Sequence, residues 1–132
     1  MAAASSDVSV VVVHPAVRAL QGVMSELALN GIDATRDAGA FYPQPVGVLV
    51  GIPALVKRGQ ATYTYEVPVS IVSGDPVNSD VIVDRMCSLA DDVAIVLETY
   101  AYRPGSYRSG VNAEPLPSLE LTVTVTVTET EE

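Results

Sequence analysis

Histidine and cysteine occur once each in this chain, as His14 and Cys87, and tryptophan does not occur at all. With one histidine, no multi-histidine metal site can form within a chain, and a Ser-His-Asp or Cys-His arrangement would have to use His14. His14 precedes Pro15 at a helix start, where capping explains it better than ligation or base catalysis. Cys87 cannot form an internal disulfide, so the fold is independent of oxidation, and inside a helical pattern a thiol behaves as a small hydrophobe. Basic residues are also scarce, seven against sixteen acidic ones, for a net charge of −9. Tight nucleic-acid binding needs Lys and Arg to neutralise phosphates, and this balance argues against it. No apolar run approaches the roughly 18 residues of a membrane span. The opening MAAASSD lacks the basic segment of a secretory signal, so the product is expected to stay in the cytoplasm of the cell that makes it.

Hydrophobic residues are 48% of the chain and charged ones 17%. That is too apolar for disorder and leaves apolar surface over for another chain. The 132 residues suit one domain with one core. A single domain is expected over 1–132, with a short leader at 1–7 and an acidic tail at 129–132.

Residues 8–13 are β-branched and read as a short strand, or equally as a helix capped by Asp7. From Pro15 the spacing of Val17, Leu20, Met24 and Leu27 predicts an amphipathic helix stopped at Asn30-Gly31. Residues 46–52 are nearly continuous aliphatic between prolines and predict a buried strand. Lys57, Arg58 and Gly59 fall in a loop at the tip of a hairpin. "ATYTYEVPVSIV" then alternates, with Ala61, Tyr63, Tyr65, Val67, Val69 and Ile71 on one face. Pro68 cannot donate to a ladder, which places it at an edge or a bulge. Ile82, Met86, Leu89, Val93 and Val96 predict a second helix ending near Glu98, with Asp84, Asp91 and Asp92 exposed. "YAYRPGSYRSG" reads as a loop. Leu119, Leu121, Val123, Val125 and Val127 form the apolar face of a last strand whose other face is threonine. The expected fold class is α+β, a small mixed or antiparallel sheet packed on one face by two helices.

Motifs for chemistry are missing. Asp75, Asn78, Asp80 and Asp84 resemble a calcium loop without its central glycine or closing glutamate, and turn and cap roles fit them better. Asp91 and Asp92 are adjacent on a helix and point apart. No G-x-S-x-G elbow and no phosphate-cradling glycine motif occurs. No catalytic residue, metal or cofactor is therefore expected. Tyr100, Tyr102, Arg103, Tyr107 and Arg108 are types enriched in protein interfaces. Together with Lys57 and Arg58 they are the candidate interface residues, set against the plainer reading of surface loops with incidental tyrosines.

The order of elements, the proline-bounded "QPVGVLVGIP", the alternating strand, the helix "NSDVIVDRMCSLADDVAIVLE" and the strand "PSLELTVTVTVTE" together resemble a tail terminator of long-tailed bacteriophages. The resemblance covers about residues 15–128 and rests on architecture and texture. It implies a non-enzymatic virion protein of the tail or neck, assembled in the host cytoplasm. Such a subunit forms a homo-oligomeric ring, a hexamer, that caps the tail tube protein, ends its polymerisation and meets the head-tail connector protein. DNA passes through the lumen without specific binding, and an acidic lumen would repel its phosphates. Another neck or head-tail connector protein and a tail tube subunit are alternatives of the same class. A small-ligand-binding domain or enzyme is the rival from another class, and an enclosed pocket with convergent polar groups would favour it.

Overall fold

The computed structural model describes residues 13–38, 41, 43, 45–77, 79–99, 101–108 and 114–128. The expected leader, most of the 8–13 segment, Asn78, Tyr100 and the acidic tail lie outside these residues.

Helix α1 spans Pro15–Leu29. His14 Nδ1 caps it by accepting from the Ala16 N–H at 3.0 Å, and Pro15 fits the first turn because its missing donor would have no helical partner. At the other end Gly31 takes φ +75°. Its N–H reaches the Ala28 carbonyl while Ile32 reaches Leu27, the paired bonds of a Schellman stop. Helix α2, Asp80–Leu97, is capped by Ser79, whose hydroxyl accepts from the Ile82 N–H. It ends at Glu98, which takes the left-handed conformation at φ 55°.

The strands are β1 (Val46–Val50), β2 (Ala54–Arg58), β3 (Thr62–Ser73), β4 (Tyr102–Tyr107) and β5 (Leu116–Thr128). They form one five-stranded sheet in which every ladder is antiparallel. Its order is β1-β3-β5-β4, and β2 also pairs with β3. Because β5 lines the other side of β3, β1 and β2 lie end to end along the same edge of β3. β1 pairs with residues 69–73 and β2 with residues 63–66.

Both helices pack on one face. Val23 and Leu27 of α1 and Met86, Ala90 and Val93 of α2 meet Val48, Val50, Val67, Val69, Ile71, Leu121 and Val123 from the sheet. This is the expected α+β fold, with the alternating faces of β3 and β5 as predicted. The stripe on α1 is rotated from its expected position. Ala19, Val23 and Leu27 are buried, Leu20 and Met24 half-buried, and Val17 is 38% exposed. Ala19 is small and fully buried, whereas spacing counted over large side chains favours Val17.

Two segments expected as loops are strands. Lys57 and Arg58 lie in β2, not at a hairpin tip, and the turn follows them, with Gly59 N–H donating to the Thr62 carbonyl at 2.8 Å. Residues 102–107, expected within a loop, form β4 and pair with residues 116–121.

The opposite face of the sheet is open over Glu66, Pro68, Thr122, Thr124 and Thr126, all exposed. It is covered at one end. There Phe41 stacks edge-on against Tyr107, with centroids 5.4 Å apart, and its ring lies 2.8 Å from where a Gly47 Cβ would stand. In register beneath them, Val72 and Ser118 are buried although they belong to the open face.

Candidate interface

The hydrogen-bonding direction of each strand residue determines what the sheet edges offer. The Pro68 carbonyl accepts from the Gly51 N–H at 2.8 Å. A strand residue directs its N–H and C=O to the same side, so the nitrogen of Pro68, which carries no hydrogen, faces the break between β1 and β2. Pro68 thus lies in an interior strand and not at an edge or bulge as expected, and no ladder bond is lost because the neighbouring strand is interrupted there. Opposite Pro68 stands Thr122, and that pair is a non-hydrogen-bonded one.

Alternation then directs the polar groups of Glu120 and Ser118 toward β4. Their partners Arg103 and Gly105 face inward, and Pro104 between them faces outward, where a missing donor is harmless on an edge strand. Proline and glycine at 104 and 105 are why this stretch reads as a loop in sequence. A Cβ at Gly105 would meet the Glu120 carboxylate, the end of an exposed side chain that can turn aside.

The structure separates the candidate residues. Tyr102 faces the helices, and its hydroxyl donates to Asp91 Oδ1 at 2.8 Å. This bond, then burial, then the negative charge of Asp91 push the phenol up to about 12. Tyr107 packs on Phe41. Both tyrosines thus hold β4 to the rest of the chain. Arg103 and Arg108 are exposed on the β4 side. Lys57 and Arg58 are exposed at the end of β2, with the Arg58 guanidinium 5.4 Å from the Tyr63 ring centroid. β2 and β4 lie on opposite edges of the sheet, so the cations do not form one patch. Sequence spacing missed Ile52, Leu55 and Val56, which are 86%, 52% and 55% exposed. An aliphatic run beside a proline reads as core unless the edge position is known.

The remaining polar candidates have local roles. Asp75 Oδ1 accepts from the Val77 N–H at 2.9 Å, its backbone is held by the Ser73 hydroxyl, and Asp80 lies in the first turn of α2. Among the described residues, no three His, Cys, Asp or Glu side chains are grouped to hold a metal ion. A groove of about 210 Å³ between α2 and the β4–β5 ladder is lined by Val83, Met86, Cys87, Pro104 and Leu119 among others. It is smaller than usual ligand sites and mostly apolar; hollows of about 420 Å³ beside Pro43 and Asp75 and about 380 Å³ beside Arg103 and Glu120 are larger but open to solvent. Among the described residues, no helix is long and apolar enough to cross a membrane. No known family model matches the chain, and no curated protein is significantly similar to it.

Proposed function

We propose that the chain is a non-enzymatic ring subunit of a phage virion, a tail terminator that caps the tail tube as a hexamer, ends its growth and joins it to the head connector. The supporting observation is the division of exposed groups between opposite edges: Lys57 and Arg58 with the apolar side chains of β2 on one side, Arg103 and Arg108 on the other. A head-to-tail ring needs two different surfaces per subunit, whereas a two-fold dimer needs one. The net charge of −9 suits a lumen through which DNA passes without sticking. In this reading the protein resides in the tail or neck of the virion after assembly in the host cytoplasm.

The direct test adds the purified chain to a polymerising tail tube protein from the same genome and measures tube length by electron microscopy. Capping predicts shorter tubes with a ring at one end. Tubes of unchanged length with no added density overturn the terminator role, and incorporation along the tube would assign the chain as a tube subunit instead.

A further inference from the structure

Among the described residues, one side of β5 is left unpaired along part of its length. Alternation from the Pro68–Thr122 pair directs the N–H and C=O groups of Thr122, Thr124, Thr126 and Thr128 away from β3. β4 covers that side only along residues 116–121. Beyond it, the Thr122 carbonyl accepts from the Thr99 hydroxyl at 3.0 Å and the Thr128 carbonyl from Arg18 Nη1 at 3.4 Å. Between these two bonds the outward backbone groups of Thr124 and Thr126 have no partner among the described residues. Edges are normally protected by charge, proline or a bulge. Residues 123–128 have none of these, only valine alternating with threonine.

The opposite edge supplies a short strand whose outer side is protected only at one end, by the bulge between Leu55 and Lys57 and the charges of Lys57 and Arg58. Thr35 bridges to Leu49 and closes the outer side of β1, but among the described residues nothing covers β2, whose five residues are all exposed. β2 and β5 are both antiparallel to β3, hence parallel to each other. A rotation about an axis along the strands therefore carries β2 of one copy beside β5 of the next, with the helices of both on the same side. Leu55 pairs with Tyr65 and so shares the helix-side face with Val125 and Val127, which are half-buried. Lys57 and Arg58 come level with the Thr128 end, which leads in sequence into Glu129, Glu131 and Glu132.

We propose that β2 of one copy adds in parallel to the open edge of β5 at Thr124 and Thr126 of the next, making one sheet continuous across the subunit boundary. This rests on the ring part of the proposed function and not on tail capping. Main-chain bonds supply the affinity in such strand addition, and alternate side chains supply the register.

The test uses two full-chain variants. Thr124→Pro removes an outward N–H that the chain's own sheet does not use, as Pro68 and Pro104 do. Leu55→Asp places a charge on β2. Each is predicted to keep the wild-type circular dichroism spectrum and to sediment as a monomer while the wild type is an oligomer. Mixed in equal amounts they should form a heterodimer and nothing larger, because only one of the two interfaces is intact. An oligomer of wild-type mass from either variant alone, a mixture that stays monomeric, or a wild-type chain that is monomeric at every concentration overturns the proposal. If another segment of the same chain covers the β5 edge, Leu55→Asp keeps the wild-type mass. Tube capping is scored separately: shortened tubes from the two single variants would reject edge pairing and leave the terminator role standing.

Discussion

The Tyr102 hydroxyl donates to Asp91 Oδ1 at 2.8 Å and ties edge strand β4 to the second helix. Ionising the phenol beside a carboxylate is unfavourable, so the folded value stands at about 12 against an ordinary 10.0. A value raised by folding contributes stability that is fully present below pH 10 and is lost as pH rises through about 12. Site-specific titration of Tyr102, by NMR of labelled tyrosine, should show its phenol as a late component at about 12, and Asp91→Asn should lower that value. A value unchanged in Asp91→Asn would contradict this assignment.

Leu121 of β5 is 1% exposed and belongs to the core between the sheet and the helices. Leu121→Ala should lower the unfolding free energy by about 2–5 kcal/mol, measured by urea denaturation. Ending the chain after Ser118 removes Leu121 and Val123 together with most of the partner ladder of β3, and should leave no cooperative transition. A cooperative melt of that shortened chain would show that β5 is not a core strand.

How much of this was legible depends on whether a residue's neighbours are local. The helix boundaries at His14 and Gly31 and the alternation of β3 and β5 follow from spacings of a few residues and are found, whereas the capping residue of α2, Ser79, does not stand out among its polar neighbours. The strand at residues 102–107 was hidden because Pro104 and Gly105 act as breakers in isolation. The strand forms because it pairs with residues 116–121, which lie outside the local pattern, and on this edge strand the proline nitrogen faces away from that ladder. β2 was hidden likewise, since its partner Tyr65 and its bulge between Leu55 and Lys57 leave no local pattern. The candidate interface was half legible: the tyrosines and cations stood out by type, but their division into inward-facing tyrosines and outward-facing arginines is a matter of register.

His14 and Cys87 are assigned no chemical role. His14→Gln combined with Cys87→Ala should cost stability through the lost cap, about 1 kcal/mol, and leave oligomer mass and tube capping unchanged. Loss of capping by a folded double variant would refute a purely structural role.

Arg103 and Arg108 should act at the subunit boundary or at the connector, because they are exposed and lie outside the core. Replacing both by Ser should leave thermal stability within about 0.5 kcal/mol of wild type while weakening assembly, read by analytical ultracentrifugation. Replacing Tyr102 and Tyr107 should do the reverse and destabilise the monomer. Unchanged assembly and unchanged joining to connectors by the arginine variant would remove these two residues from any interface.

Native mass spectrometry of the full chain, alone and with isolated tail tubes, tests the ring most directly. A closed head-to-tail ring of the kind implied by the resemblance predicts one discrete species of six 13.8 kDa chains, with no ladder of larger masses. A chain that stays monomeric even in the presence of tubes, or that grows into an open series, would contradict the account.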